Sequence, residues 1–362
     1  MGLSPVIVLL VLPSIFAFSC KDQNNKDVDW FAVYKMPIEK DNTVIDIAQG
    51  LAFYYLDVND PSQLRPSAQP LNSTNQAIAN TLNQFYAVKD DKTIFHVMFN
   101  DEPYGTVSMS SHVANRVDSR IYRPELAAVQ FGHTKGTLFF DGQTGVWLVH
   151  SVPKFPPPDH YQYPDSGTDY GQTMLCMTFT YAQLKDIGTQ LFYNHPDIYS
   201  SNLPTSMASA NPDLANLIAG KFQSGANSHS SITLTTKGGQ QFKSFAKTAD
   251  FNDDLYQKLL APSLRTPFIV ESWRRGSEVP LTCGDPFPVN DALTIKVGES
   301  LEFKYTKDHS KLARSALKTS PYVCIGDINR MTSQYVRGGG TTCISNDKMW
   351  NAFNVITTQN QC

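Results

Sequence analysis

Two short motifs in this chain pair the same two chemistries at the same spacing. One is Gly132-His133-Thr134-Lys135-Gly136 and the other is Asp308-His309-Ser310-Lys311. An imidazole can attack, donate a proton or accept one near neutral pH, and an ammonium group carries a compact positive charge. In extended backbone, residues i and i+2 project to the same face, so each histidine converges with its lysine on one ligand. Two such pairs facing each other would surround a phosphodiester with two imidazoles and two ammonium groups. One imidazole would attack phosphorus and form a phospho-histidine, while the other would protonate the leaving oxygen and then activate water. The lysines would neutralise the non-bridging oxygens, where the transition state carries its charge. The sequence holds no HExxH and no acidic calcium loop, so no metal and no cofactor is expected. A single His-x-Lys is usually an exposed strand end. The matched copies, 176 residues apart, instead suggest a duplicated unit with one copy in each half.

The elements that must position these pairs are mixed. Val28–Lys35, Thr93–Phe99, two strands broken at Gly132 within Glu125–Phe140, and Val146–Val149 after a Gly142–Gly145 turn read as strands. Pro153–Pro164 holds five prolines in twelve residues and ends regular structure, marking a boundary. Beyond it, Met174–Thr180, Thr266–Trp273, Leu301–Thr306 and Pro321–Ile325 read as strands, and Tyr181–Phe192, Asp213–Phe222 and Asp250–Leu260 as helices. This mixture predicts an α/β protein. The expected organisation is a signal peptide over 1–19, one half over 20–165 and a second over 166–362.

Leu3–Phe18 is apolar but short for a membrane span, and Ala17 and Ser19 place small residues before Cys20 as a signal peptidase requires, although no Lys or Arg precedes the run. Six cysteines follow, at Cys20, Cys176, Cys283, Cys324, Cys343 and Cys362, none in a CxxC spacing. In a secreted chain they predict three disulfides, with fifteen connectivities open. Asn72-Ser73-Thr74 is a glycosylation sequon that suits the same compartment. The formal charge of −3 does not favour nucleic-acid binding at neutral pH, but protonating all eight histidines would bring it to +5. Unperturbed histidines also reach the one-neutral, one-protonated state in mild acid.

Longer blocks carry a resemblance. Val28–Pro37, His133–Asp141, Trp147–Pro157, Cys324–Arg330 and Arg337–Thr341 with Cys343, in order from about residue 20 to the C-terminus, resemble the deoxyribonuclease II family of the phospholipase D-like superfamily. The resemblance implies a phospholipase D-like α/β fold of two similar halves, each a mixed sheet flanked by helices, with the active site between them. It implies an acid endonuclease that cuts double-stranded DNA to 3′-phosphate products without metal. His133 and Lys135 match the first pair, and His309 and Lys311 the second, with His133 favoured as nucleophile and His309 as acid. Asp141 would orient a histidine or lysine, or be a turn carboxylate. Asn329 would contact phosphate or histidine, and His150 would serve structurally. Cys20 would pair with Cys176, Cys283 with Cys362 and Cys324 with Cys343. The protein would follow the secretory pathway to lysosome or exterior, and a homodimer would be able to embrace a duplex.

The chain departs from the family where Leu312-Ala313 replaces the usual Trp-Cys after Lys311, and no carboxylate follows Lys311 within ten residues, whereas Asp141 follows Lys135. A non-cutting binder of DNA or of a host partner is therefore the alternative, and a phospholipase D-type lipase a third. Arg116, Arg120, Arg123 and Trp273-Arg274-Arg275 are further candidates for the DNA backbone, and Arg337 with its glycines for an anion nest.

Overall fold

The computed structural model describes residues 17–108, 121–122, 131–299 and 301–361. Most of the expected signal peptide, Arg116, Arg120, Arg123, most of the strand expected before Gly132, and Cys362 lie outside the described residues. Strands β1 (Cys20–Lys21) and β2 (Asp27–Val28) make a short ribbon. Next come β3 (Trp30–Lys35), β4 (Phe53–Asp57), β5 (Arg65–Pro66) and β6 (Phe95–Asn100), then a separate parallel pair, β7 (Val107–Ser108) and β8 (Ile121–Tyr122). Strands β9 (Lys135–Phe140), β10 (Thr144–His150), β11 (Gln172–Thr180) and β12 (Ile198–Asn202) complete a first sheet in the order β12-β6-β9-β10-β11-β3-β4-β5. The second sheet uses β13 (His229–Thr235), β14 (Gln241–Lys247), β15 (Phe268–Glu271), β16 (Val289–Val297), β17 (Leu301–Lys304), β18 (Leu312–Ser315), β19 (Tyr322–Gly326), β20 (Gly339–Ser345) and β21 (Ile356–Gln359). Its order is β13-β14-β20-β19-β18-β15-β16-β17, with β21 also on β16.

Five antiparallel neighbours recur in the two sheets. The run β6-β9-β10-β11-β3 of the first has the same order and directions as β15-β18-β19-β20-β14 of the second. The strand after each His-x-Lys motif, β9 or β18, occupies the second place in its run.

Side-chain alternation divides the core. Trp30, Ala32 and Tyr34 of β3 and Trp147 and Val149 of β10 meet Val323 and Ile325 of β19 and Ile344 of β20 in one cluster shared by both sheets. The intervening residues, Phe31, Val33, Val146 and Leu148, face a second cluster with the helix Ala77–Tyr86. Cys324 and Cys343 face a third, beneath the helical segment Tyr256–Leu264. Strands covered on both faces read as unbroken apolar runs, which is why β3 and β10 were legible as strands.

The structure differs from the expectation in several places. Strands β11 and β12 belong to the first sheet, so that sheet runs to Asn202 and the proline stretch before 165 is a loop inside it, not a boundary. The helix expected over Asp250–Leu260 is a 3-10 turn (Ala249–Phe251) followed by a π-helical stretch (Tyr256–Leu260). Disulfides join Cys20 to Cys176 and Cys324 to Cys343, and Cys283 is also disulfide-bonded. Asn72 is exposed. Phe18, placed before the expected cleavage point, packs edge-on against Phe139 with centroids 5.1 Å apart. Among the described residues no helix is long and apolar enough to cross a membrane.

Candidate active site

His133 sits in the loop that enters β9, and the second sheet grips that loop. The His133 N–H donates to the Gly338 carbonyl at 2.9 Å, and its Nδ1 bonds the Asp327 carbonyl. Thr134 Oγ1 donates to the Asp327 carboxylate, whose other oxygen accepts from the Gly340 N–H at 2.8 Å. Such closeness needs glycine. A Cβ at Gly132 would lie 1.9 Å from the Asn194 carbonyl oxygen, and one at Gly338 would lie 2.4 Å from it.

Lys135 opens β9 opposite Asn100, the last residue of β6, which brings the next residue, Asp101, beside the pair. Asp101 forms an ion pair with Lys135, lies 3.5 Å from His133 Nε2 and 3.4 Å from Arg337 Nη2. Burial raises the Asp101 pKa, but His133, Lys135 and Arg337 outweigh it and hold the carboxyl well below its usual range. Arg337 also donates to the carbonyls of Gly132 at 3.1 Å and Phe131 at 3.3 Å.

His309 enters β18 in the mirrored way. Its N–H donates at 2.8 Å to the carbonyl of Gly171, the residue before β11 of the first sheet. Tyr170 stacks on its ring at 4.1 Å with a 4° tilt, and Trp273 meets it edge-on at 3.9 Å. Arg275 lies over the Trp273 ring at 4.4 Å. His309 Nε2 is buried without a hydrogen-bond partner. Lys311 donates from Nζ to the His309 carbonyl, and its N–H reaches Thr173 Oγ1 at 3.3 Å.

The two pairs meet through Gly326 and Asp327. Gly326 donates its N–H to the Lys311 carbonyl at 3.0 Å, and the next residue carries the carbonyl that holds His133. Burial, then the charges of Lys311, Lys135, His133 and Arg275, push His309 well below the usual imidazole range. Burial also depresses His133, opposed by Asp101 and assisted by Lys135, Arg337 and Lys311. Lys311, buried and facing Lys135, is lowered to about 7. The second pair lacks an Asp101. Among the described residues Lys311 makes no carboxylate ion pair. The carboxyls whose charges act on it are Asp101, Asp308 and Asp327; Asp308 bonds the Tyr34 hydroxyl and is raised chiefly by burial.

Other expected residues fall elsewhere. Asp141 follows the far end of β9 from Lys135, where its Oδ1 accepts the N–H groups of Gln143 at 2.6 Å and Thr144 at 2.7 Å. It is the turn carboxylate and not an orienter of the pair. Asn329 is buried after β19 with its Oδ1 unpartnered. His150 ends β10 buried against Phe155 and accepts the Val152 N–H at 3.3 Å, a structural placement. Leu312 faces the shared core and Ala313 the third cluster opposite Cys324, so the departure from the family pattern is a packing change. Arg274 is buried and donates to the Ser272 carbonyl at 3.2 Å, while its neighbour Arg275 is exposed. Arg337 spans the sheets as a clamp instead of nesting an anion. Asp101 was missed because its link to Lys135 is a strand register, 34 residues away in sequence. Among the described residues no group of three His, Cys, Asp or Glu side chains is arranged to hold a metal.

Fold and site together define an α/β protein with two histidine–lysine pairs at the seam of two sheets. A family model for deoxyribonuclease II matches residues 19–362. The chain is 60% identical to deoxyribonuclease-2 of Caenorhabditis elegans, with 100% of both chains covered. It is 36% identical to plancitoxin-1 of Acanthaster planci (96% of this chain, 93% of the relative) and 35% identical to deoxyribonuclease-2-alpha of Sus scrofa (97% and 92%). The chain belongs to the deoxyribonuclease II family.

Proposed function

We propose that this protein is a deoxyribonuclease II-type endodeoxyribonuclease that hydrolyses double-stranded DNA in acid, without metal, through a phospho-histidine. The observation that carries the reading is the crossing of two His-x-Lys pairs at one seam, each histidine N–H held by a carbonyl of the other half. With its Nδ1 proton donated to the Asp327 carbonyl, neutral His133 keeps its lone pair on Nε2. That nitrogen attacks phosphorus. His309 gives its proton to the departing 5′-oxygen, leaving a 5′-hydroxyl and the 3′-phosphoryl on His133. His309 then takes a proton from water, which releases the 3′-phosphate and restores both imidazoles. Lys135 and Lys311 neutralise the non-bridging oxygens, the charge a metal would otherwise meet.

Free His309 is held neutral by burial and surrounding cations. A bound phosphodiester brings the negative charge that raises it, so the proton enters with substrate and acid favours the productive complex. The recurring five-strand runs support two phospholipase D-like halves, one around each sheet. The disulfides suit a lysosomal or extracellular setting, and a homodimer would place two such seams on one duplex.

The test is product chemistry. Plasmid cut at pH 5 in EDTA should carry 3′-phosphate and 5′-hydroxyl ends, shown by end-labelling before and after phosphatase. Cleavage that required magnesium, or that left 5′-phosphates, would overturn the mechanism. A folded wild type that bound DNA without cutting it would favour the binding alternative.

A further inference from the structure

Two buried lysines outside the motifs, Lys35 and Lys247, occupy matching places. Each is the last residue of the fifth strand in the recurring run, Lys35 on β3 and Lys247 on β14. Lys35 is 0% exposed and Lys247 1%. Neither ammonium makes a carboxylate ion pair among the described residues, and both are spent on backbone carbonyls. Lys35 donates to the carbonyls of Thr168 and of Tyr170, the latter at 2.7 Å. Lys247 donates to the carbonyls of Gln334 at 3.0 Å, Tyr335 at 2.9 Å and Arg337 at 2.6 Å.

The register shows what those turns do. Lys35 pairs with Gln172 on β11, and the residue before Gln172 is Gly171, whose carbonyl holds the His309 N–H. Lys247 pairs with Gly339 on β20, and the residue before Gly339 is Gly338, whose carbonyl holds the His133 N–H. The first turn also carries Tyr170, stacked on His309, and the second carries Arg337, clamped on Asp101. An uncompensated buried cation is costly, so a lysine retained at both points must be answered by what it bonds. An ammonium group has three donors and can gather several carbonyls of one tight turn, which no apolar side chain can do.

We propose that Lys35 and Lys247 are positioning residues, each bracing the turn of its own half that fixes the reactive histidine of the other half. The proposal rests on the paired-histidine reading for its effect on catalysis. The brace itself has a readout that needs no substrate.

The experiment compares wild type with Lys35→Met and Lys247→Met by amide hydrogen exchange at His309 and His133, resolved by NMR, beside steady-state DNA cleavage. Lys35→Met should speed exchange at His309 about tenfold or more and leave His133 unchanged, and Lys247→Met should do the reverse. Both should lower kcat by about tenfold or more with little change in KM, because a misplaced reacting group costs rate more than binding. Should a methionine variant fail to fold, Lys35→Arg and Lys247→Arg, which keep the donors but alter their reach, should give the same crossed pattern at smaller amplitude. Exchange that rises equally at both histidines in every variant, or at neither, would overturn the brace. An inactive wild type that still showed the crossed pattern would instead overturn the nuclease reading and leave the brace standing.

Discussion

At His133 the neighbours decide which nitrogen can act. The Asp327 carbonyl takes the Nδ1 proton, and Asp101 lies on the Nε2 side while holding Lys135 and Arg337. Asp101 has a depressed pKa, so its stabilisation is present above its unfolded value and is lost only as pH falls through the still lower folded one. The ion pairs therefore persist at an acid working pH. Asp101→Asn should leave buried cations unpaired and cost about 3–5 kcal/mol of stability, measured by urea unfolding, with cleavage falling alongside. Lys311 behaves in the opposite sense. Its pKa, lowered to about 7, means that its charge is complete in acid and lost as pH rises through that value. Lys311→Arg keeps the charge at neutral pH. The basic limb of its kcat/KM profile should move upward, and an unmoved limb would show that Lys311 does not set it.

Among the elements, the entry loops of β9 and β18 depend on close backbone approach. Gly132→Ala and Gly338→Ala would each drive a methyl group into the Asn194 carbonyl and should cost about 1–3 kcal/mol in denaturant unfolding. Strands with two covered faces, such as β3 and β10, could be read from their apolar runs, and the two motifs could be placed at strand entries from residue type alone. The hairpin of β13 and β14 escaped notice because β13 is a polar edge strand, rich in Ser and Thr and mostly exposed. The helix Ala77–Tyr86 escaped because its N-terminus is capped by the Gln76 side chain, which accepts from the Ile78 N–H at 2.7 Å, and Gln is not a usual capping residue. Asp101, Tyr170 and the two bracing lysines belong to the site only through strand register and the meeting of two sheets. No local pattern in the chain encodes that.

Across the whole molecule, burial revises the charge argument. His96 and His195 are lowered to about 4 and His150 to about 3, all chiefly by burial, and His133 and His309 are depressed as well. Five of the eight histidines thus stay neutral in mild acid, and the free protein does not reach +5 by histidine protonation. Attraction for DNA in acid must come mainly from neutralised carboxylates and from the cations at the seam. The two sheets share one core cluster, so the chain should unfold in a single calorimetric transition, and two separated transitions would contradict the shared core. The central claim is that both histidines act at one seam. Its most direct test is plasmid cleavage at pH 5 in EDTA by wild type, His133→Ala and His309→Ala, each checked for native unfolding behaviour. The account predicts cutting by wild type and a loss of about a thousandfold or more in each variant, since residues that act as a unit fail together. Near-normal cutting by either folded variant would contradict it.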